Sequence, residues 1–331
     1  MVLVSGATGF LGSYIVCDLL KQHKKVRALK RETSNMEEFQ FIASTNSMDS
    51  KLLENLEWFT VDILELGDLE LAFEGVEEVI HCAAIVSFHK KDRELMHLIN
   101  TEGTANMVNL ALHFGVKKFG YISSIAAIGR NEKEHQINEQ TKWENNHNNT
   151  AYAESKYTAE MEVWRGIQEG LNAVIVNPGI IIGVCNYKRG SGKMFETAAR
   201  GIRFYTSGVN GFVDVRDVSQ CIIRLIDANI FNERFILVSE NYAFKRFYEV
   251  AAYCFNNRKP FIKTPFWLAN IGQKFLAIVS AISGKPPLLT EETTRAAFQK
   301  YEYDSSKIKA MLKFEFIPVQ KTIEWACSFY R

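Results

Sequence analysis

Three glycines at intervals of three residues near the start of the chain restrict its fold more than any other feature. Gly6, Gly9 and Gly12 lie within LVSGATGFLGSYIV (3–16), between a short apolar run and a segment with helical apolar spacing. After a strand, such glycines permit a tight turn, close backbone approach to a pyrophosphate, and close packing of the next helix on the sheet. Phosphates then lie at the helix N-terminus, where free N–H groups favour anions. The segment predicts a dinucleotide-binding turn, with a glycine-rich turn that binds no ligand as the alternative.

The first half of the chain alternates short apolar runs with helical patterns, which is typical of repeated βαβ units. The expected fold class is α/β, a doubly wound parallel sheet of the Rossmann type. The most regular helical patterns cover 12–22, 101–114 and 151–169. Strands are predicted near 2–5, 25–29, 57–61, 78–82, 118–123, 173–176 and 235–238.

This alternation breaks at about residue 179, where aromatic residues become more frequent. Because a strand-like run returns at 235–238, we expect a second, smaller substrate lobe that interleaves with the first domain. The polar, Asn-rich segment 130–150 is predicted to be a surface loop, and whether it acts as a lid is left open. The predicted nucleotide-binding domain covers 1–178, with 205–240 returning to it, and the substrate lobe covers 179–204 and 241–331.

Composition excludes several classes of partner. Lysine and arginine number 39 against 38 aspartates and glutamates, so no broad basic field is available to bind nucleic acid. The six cysteines are scattered without a C-x-x-C pair, which argues against a metal site or a disulfide framework and favours a reducing compartment. Because a strand-like run directly follows Met1, there is no space for a signal peptide. We therefore expect a cytoplasmic protein whose partner is a small molecule.

The apolar segment 266–284 requires a separate test, because it is the longest apolar stretch in the second half of the chain. Asn270, Gln273 and Lys274 interrupt it, so it falls short of the uninterrupted length that a membrane span needs. We expect an amphipathic helix packed on the core. A helix on a membrane surface is the alternative.

Further motifs carry a resemblance that covers essentially the whole chain. With its three-and-three glycine spacing, SGATGFLG resembles the fingerprint of the extended short-chain dehydrogenase/reductases, which include the NAD-dependent epimerase/dehydratase family. Within this superfamily the chain is similar to the dihydroflavonol reductase-like and 3β-hydroxysteroid dehydrogenase-like members. The other segments that carry the similarity are HCAA (81–84), INTEGTANMVNLA (99–111), YISSIAAIG (121–129), YAESK (152–156), NPGIIIG (177–183) and GFVDVRDV (211–218).

The end of the second predicted strand indicates which nicotinamide cofactor is bound. An acid at this place would bind the ribose 2′-OH of NAD, whereas a cation accommodates the 2′-phosphate of NADP. The chain has Lys30 and Arg31 there, so we expect NADP; NAD is the alternative, because Glu32 is close enough to pair with one of them. The cofactor-binding residues that the motifs and the resemblance imply are Gly6, Thr8, Gly9, Phe10, Leu11, Gly12, Lys30, Arg31, Asp62, Ile63, Ala83, Ala84, Tyr152, Lys156, Pro178 and Gly179.

The strongest catalytic signal is the pair Tyr152 and Lys156, whose spacing of four places both side chains on one helix face. A phenol with a pKa of about 10 is a poor acid or base at neutral pH, and a neighbouring ammonium is expected to lower that pKa. The resemblance implies that Tyr152 delivers the proton, that Lys156 tunes it and binds the nicotinamide ribose, and that Ser124 polarises the substrate oxygen. Ser123 is the neighbour most easily confused with Ser124.

Two other polar residues of the motifs are expected to have structural roles. Asn100 opens a predicted helix and is interpreted as a helix cap. His81 is interpreted as a packed histidine and not as a base. An apolar wall beside the site is expected to hold the substrate. The predicted substrate-binding residues are Phe88, Ile125, Phe195, Tyr205 and Phe212.

The leading hypothesis is an NADP-dependent oxidoreductase that reduces a ketone or aldehyde carbonyl on a mainly apolar small molecule by reversible hydride transfer. Dehydratases of the superfamily carry Asp-Glu after the active-site Ser or Thr, where this chain has Ile125 and Ala126, so dehydration is disfavoured. A sugar-nucleotide epimerase and a non-catalytic dinucleotide-sensing protein are the alternatives. The resemblance also implies a homodimer formed through the helices at 101–114 and 151–169. Substrate identity and physiological direction are left open.

Overall fold

The computed structural model of the protein describes residues 1–129, 136–145, 149–283 and 290–330. Parts of the predicted loop 130–150, namely 130–135 and 146–148, lie outside the described residues. The strands are β1 (Val2–Ser5), β2 (Val26–Lys30), β3 (Leu56–Thr60), β4 (Glu78–His81), β5 (Lys118–Ile122), β6 (Ala173–Pro178), β7 (Ile180–Ile182), β8 (Phe204–Tyr205), β9 (Val209–Asp214), β10 (Glu233–Leu237), β11 (Glu240–Ala243) and β12 (Ile262–Lys263).

The helices connect these strands and cover both faces of the main sheet. A π-helical segment (His97–Glu102) joins α5 to α6, and a 3₁₀ turn (Ile125–Ala127) follows β5. The α-helices are α1 (Phe10–Lys21), α2 (Glu37–Thr45), α3 (Ser50–Leu53), α4 (Leu66–Ala72), α5 (Arg93–Met96), α6 (Gly103–His113), α7 (Ala151–Gln168), α8 (Gly192–Arg200), α9 (Val215–Asp227), α10 (Phe244–Cys254), α11 (Phe266–Ser283), α12 (Glu291–Ala296), α13 (Ser306–Leu312) and α14 (Val319–Ser328).

Seven parallel strands form the central sheet in the order β3-β2-β1-β4-β5-β6-β10. The order reverses between β1 and β4, which creates a crevice at the carboxyl ends of these strands. The predicted doubly wound α/β class is confirmed. The seven predicted strands all form, with ends that differ by at most two residues from the prediction.

Both faces of this sheet are buried, because side chains alternate along each strand. Val2 and Val4 pack into the core formed with α1 and α9, whereas Leu3 between them packs into the core formed with α4, α6 and α7. Val174 and Ile175 of β6 divide in the same way. The continuous apolar runs of the sequence therefore become strands with helices on each side.

A second group of elements surrounds the three-stranded sheet β11-β9-β7. Its core contains Phe195, Phe212 and Phe247, packed with residues of α10 and α14. This sheet combines β7, from the segment assigned to the substrate lobe, with β9, from the segment assigned to the nucleotide-binding domain. The division of the chain into 1–178 with 205–240, and 179–204 with 241–331, stays a prediction.

Helix α11 differs from its prediction. We expected the segment 266–284 to pack on the core, but Phe266, Trp267, Leu268 and Ile271 are between 43% and 64% exposed. Phe266 packs edge-on against Phe298 at a ring separation of 5.3 Å, which holds the start of the helix. Among the described residues, no helix combines the length and apolarity that crossing a membrane requires.

Candidate active site

The three glycines form the turn between β1 and α1. Gly6 has a φ of 66°, in the left-handed region that favours glycine, and a Cβ there would lie 2.8 Å from the Ala83 nitrogen. A Cβ on Gly12 would overlap the Gly6 carbonyl. Both positions therefore require glycine, because the helix start, the turn and the end of β4 pack backbone against backbone.

Gly9 is different, because it is exposed at the N-terminus of α1. A Cβ on Gly9 would meet only the Gly6 carbonyl oxygen at 3.2 Å, and no side chain of the described residues caps the helix. The first amides of α1 are consequently open to an anion. Thr8, Phe10 and Leu11 surround this turn and are half-buried. The turn fits the pyrophosphate of a dinucleotide.

Lys30 and Arg31 lie at the carboxyl end of β2, next to β1 at the same edge of the sheet. Arg31 is exposed, and its backbone N–H donates to Ser34 Oγ at 2.9 Å, which fixes the backbone and leaves the guanidinium free. Among the described residues no carboxylate forms an ion pair with Arg31, so Glu32 does not neutralise it.

Asp62 and Ile63 follow β3 on the same side. Asp62 Oδ1 accepts a hydrogen bond from the Leu64 backbone N–H at 3.0 Å. The Ile63 side chain is buried, and a Cβ on Gly103 would lie 2.5 Å from its Cδ1. Asp62 and Ile63 therefore lie at the carboxyl ends of the strands, where the adenine site is predicted.

The end of β4 is held by Ser5 and His81. Ser5 Oγ accepts hydrogen bonds from the N–H groups of Cys82 and Ala83, so its own proton is directed to His81 Nδ1 at 2.6 Å. His81 Nε2 then donates to Thr104 Oγ1 at 2.9 Å. Burial lowers the pKa of His81 to about 3, so the ring is neutral. The prediction of a packed structural histidine is confirmed. Ala84, which follows Ala83, is exposed.

Asn100 is not the helix cap that we predicted. It is buried inside the π-helical segment, where Oδ1 accepts from the Ile85 N–H at 2.7 Å and Nδ2 donates to Ile85 O and to Ser155 Oγ, both at 3.0 Å. The helix begins earlier, at Arg93, so Asn100 lies too far along it to cap. Its amide instead joins the segment after β4 to α7.

Ser124 and Tyr152 meet at the carboxyl end of β5. Thr150 caps α7 through a hydrogen bond from the Ala153 N–H, which places Tyr152 in the first turn. The Ser124 hydroxyl lies near enough to the Tyr152 phenol to act on its pKa, and the Phe88 ring lies edge-on to the Tyr152 ring at 6.1 Å. Ser124 Oγ also accepts from the Ala126 N–H at 3.1 Å. Two hydroxyls therefore lie together beside an apolar ring.

Lys156 does not have the electrostatic effect that we predicted for it. Its Nζ donates to Tyr121 OH and to Ile122 O, both at 2.9 Å, and burial lowers the pKa of Lys156 to about 8. Burial raises the pKa of Tyr152, and the nearby Ser124 hydroxyl opposes this only in part. The expected lowering of the Tyr152 pKa by Lys156 is wrong, because desolvation dominates and the Lys156 ammonium donates to Tyr121 and Ile122 instead.

A buried carboxylate beneath the site escaped the sequence analysis. Glu160 is fully buried, one turn after Lys156, and it accepts hydrogen bonds from Ser123 Oγ at 2.6 Å and Asn177 Nδ2 at 2.7 Å. Arg234 of β10 forms an ion pair with it at 3.1 Å. Asn177 Nδ2 also donates to Ser124 O at 3.0 Å, so the network reaches the candidate site. The sequence did offer a signal for Glu160, because it lies four residues after Lys156 and therefore on the same helix face.

The remaining predicted residues divide into those at the crevice and those in the core. Pro178 ends β6, and Gly179 follows it, held by a hydrogen bond to Leu237 O at 3.0 Å, with no room for a Cβ beside Gly211 O. Phe88 lies at the crevice. The structure does not bring the other predicted substrate-binding residues to a free surface there.

Packing explains where those other residues lie. Phe195 and Phe212 are fully buried, with rings 5.2 Å and 5.8 Å from that of Phe247, so neither side chain has surface to offer a ligand. Ile125 is buried in a small cluster with Ile128. Tyr205 is half-buried beneath Lys245, whose Nζ lies 4.5 Å from the ring centroid.

Comparison with known proteins agrees with this architecture. A "Putative dihydroflavonol 4-reductase" of Synechocystis sp. is 30% identical over 317 residues, which cover 92% of this chain and 87% of that protein. The 3β-hydroxysteroid dehydrogenase type 7 of Rattus norvegicus is 30% identical over 165 residues, 49% of this chain and 47% of that protein. The dihydroflavonol reductase-like and 3β-hydroxysteroid dehydrogenase-like resemblance is thus confirmed.

A solved structure shows the same fold over the full length. UDP-glucose 4-epimerase of Thermotoga maritima superimposes with a TM-score of 0.76 at 19% identity and covers 99% of this chain and 97% of its own. The family model for the NAD-dependent epimerase/dehydratase family matches residues 2–236. From the glycine turn to β10, the chain belongs to this family of NAD(P)-dependent enzymes of the extended short-chain dehydrogenase/reductase type.

Proposed function

We propose that the protein is an NADP-dependent oxidoreductase that reduces a ketone or aldehyde carbonyl on a mainly apolar small molecule. The observation that carries this proposal is that the Ser124 and Tyr152 hydroxyls lie together beside the Phe88 ring, at the carboxyl ends of the central strands. Ligands of doubly wound sheets bind at this edge. Two hydroxyls that converge beside an apolar surface suit a carbonyl oxygen on an apolar body.

The glycine turn and Arg31 support NADP as the cofactor. The open N-terminus of α1 suits the pyrophosphate, and the unpaired, exposed guanidinium of Arg31 suits a 2′-phosphate. Asp62, Ile63, Ala83, Ala84, Pro178 and Gly179 are proposed to line the rest of the crevice. When bound, the reduced nicotinamide supplies the hydride that the carbonyl carbon accepts.

The residues of the chain handle the substrate oxygen. Ser124 donates a hydrogen bond to the carbonyl oxygen, and Tyr152 transfers its phenolic proton to that oxygen as negative charge develops. A raised pKa keeps Tyr152 protonated at neutral pH, which is the state that reduction requires. Lys156 lies on the same helix face and is proposed to bind the nicotinamide ribose and to supply positive charge once it exchanges its present partners.

The apolar character of the substrate is supported by Phe88 and by the relatives. Phe88 is 36% exposed, so its ring presents surface toward the crevice. The two relatives are named for a dihydroflavonol and for a 3β-hydroxysteroid, both of which are built on fused rings. We propose that the protein acts on a mainly apolar carbonyl compound, and we do not propose either of these two compounds as its substrate.

The test is the oxidation of NADPH, followed by its absorbance, with a panel of apolar ketones and aldehydes. We expect turnover that NADH supports less well and that Tyr152→Phe loses while it still binds NADPH. Interconversion of a sugar nucleotide without net change in cofactor absorbance would instead indicate an epimerase. Cofactor binding without turnover on any carbonyl would indicate a dinucleotide sensor.

The oligomeric state and the location in the cell are also proposals. A homodimer through α6 and α7 is proposed from the resemblance; the small, half-buried Ala105 of α6 permits close helix contact, whereas Ala159 of α7 is buried within the chain. Light scattering on the purified chain measures its mass directly. A cytoplasmic location is proposed from the sequence, and cell fractionation tests it.

A further inference from the structure

An exposed apolar face lies outside the candidate active site. It is formed by residues of β8, β12 and the first turns of α11, all between 37% and 64% exposed. Isolated apolar residues are normal on a protein surface, but a contiguous group of large side chains marks an interaction site. We call this group the apolar face, and its residues are Phe204, Phe261, Ile262, Phe266, Trp267 and Ile271.

Strand pairing and a short chain connection bring the elements of this face together. Ile262 of β12 pairs with Phe204 of β8, so the two side chains lie on one side of the two-stranded ribbon. Helix α11 begins three residues after β12 ends, and Trp267 and Ile271, four residues apart, lie on the same side of that helix. Lys274 continues the stripe at i+7 from Trp267 and is also exposed.

The chain segment that forms most of this face is cationic, although the whole chain carries a net charge of only +1, and Glu291 of the neighbouring α12 is paired with Arg295 at 3.0 Å. No aspartate or glutamate occurs from 250 to 290. Lys259, Lys263 and Lys274 are exposed, and none of them forms an ion pair with another described residue. The cations in this segment are Arg258, Lys259, Lys263, Lys274 and Lys285.

We propose that the apolar face docks the protein on the surface of a membrane that contains anionic lipids. Surface-bound elements combine Trp, Phe and Leu on one side with lysines and arginines that contact lipid headgroups. Trp267 and Phe266 enter the headgroup region, and Lys259, Lys263 and Lys274 contact the anionic headgroups. The protein contacts the membrane through this face alone, and α11 lies in the plane of the membrane surface.

The charge pattern favours a membrane over a second copy of the chain. A two-fold interface would place the same cationic border of each copy against the other, because both partners use one patch. Like charges brought together across an interface weaken association. Anionic lipid headgroups instead neutralise every cation along the border.

The experiment is cosedimentation of the full chain with vesicles of phosphatidylcholine alone and of phosphatidylcholine with one-third phosphatidylglycerol. We expect binding to the anionic vesicles only, and loss of binding at high salt, because exposed charges are screened. Lys259→Glu with Lys263→Glu should weaken binding by about 25-fold or more, since each surface cation contributes about fivefold. Trp267→Ser with Ile271→Ser, which removes two large apolar side chains from the face, should abolish binding.

Controls separate this surface from general effects of charge or apolarity. Lys51→Glu and Leu71→Ser alter an exposed cation and an exposed apolar residue elsewhere, and both should bind anionic vesicles like the unaltered protein. Failure of the unaltered chain to bind anionic vesicles overturns the proposal. So does a dimer in solution that Trp267→Ser with Ile271→Ser converts to monomer, because the face would then be a subunit interface. Neither result depends on the reaction catalysed.

Discussion

Ser123 Oγ donates a 2.6 Å hydrogen bond to the fully buried carboxylate of Glu160, and this contact separates the roles of two adjacent serines. The alternation of side chains at the end of β5 directs Ser123 into the core and leaves Ser124 on the side of Tyr152. Asn177 links both, because its amide donates to Glu160 and to Ser124 O. The candidate site is therefore supported from below by a buried polar network.

We predict that one serine substitution lowers turnover and that the other lowers stability. Ser124→Ala should lower kcat by about 100-fold with little change in stability, because it removes a donor to the substrate oxygen. Ser123→Ala should destabilise the fold by about 1 to 3 kcal/mol, because the buried Glu160 loses a hydrogen-bond donor. Steady-state kinetics and denaturant unfolding of both variants measure these effects. A larger kinetic loss in Ser123→Ala would contradict the assignment.

Tyr152→Phe should reduce turnover by about 100-fold to 10,000-fold, since it removes only the phenolic proton donor. The Phe ring can retain the edge-on contact with Phe88. NADPH affinity, measured by fluorescence titration, should stay within about threefold of the original because the proposed pyrophosphate and 2′-phosphate contacts at the glycine turn and Arg31 remain. If turnover were retained, Tyr152 would not be the acid.

Glu160→Gln should lower the pKa of Lys156 below its value of about 8. Burial lowers this pKa and the Glu160 carboxylate raises it, so removing the negative charge leaves burial less opposed. The loss of the ion pair with Arg234 should also cost about 3 to 5 kcal/mol of stability. Lysine-selective ¹³C NMR titration reads the pKa directly. Glu162→Gln, on the same helix, is the control and should leave the Lys156 resonance unchanged.

Arg31→Ala should raise the Kd for NADPH by about 10-fold to 100-fold, the value expected for a charge-assisted contact with phosphate. The Kd for NADH should change by less than about threefold, because NADH lacks the 2′-phosphate. Isothermal titration with both cofactors gives the comparison. Lys25→Ala, at the opposite end of β2, is the control for general charge loss, and an equal effect of both variants would argue against a phosphate contact.

Asp217→Asn should stabilise the protein at alkaline pH. Burial raises the pKa of Asp217 from 3.8 to about 7, so the folded state binds its proton more tightly than the unfolded state, and stability is lost as pH rises from about 4 to 7. Asparagine retains an oxygen for the Ile317 N–H, which donates to Asp217 Oδ2 at 2.8 Å. The gain at pH 8 should be at most about 4 kcal/mol and should vanish near pH 4.

Thermal unfolding of both proteins between pH 4 and pH 8 checks this prediction. Asp68→Asn alters an exposed carboxylate and should show no comparable gain. An unchanged difference in Tm across the range would mean that the Asp217 proton is not linked to folding.

The sequence determined the central sheet and the glycine turn, because both depend on local patterns. Apolar runs buried on both faces predict parallel strands, and the spacing of Gly6, Gly9 and Gly12 predicts where backbone must approach backbone. The spacing of Tyr152 and Lys156 likewise follows from helical geometry alone.

Only the tertiary structure decided the partners of these residues. Lys156 binds Tyr121 OH and Ile122 O, Asn100 joins the segment after β4 to α7, and Phe195 and Phe212 pack in a core. Each of these contacts joins positions far apart in the chain, so no local spacing predicts it. Burial also set the direction of the pKa of Tyr152, because desolvation depends on how many atoms surround a group and not on its neighbours in sequence.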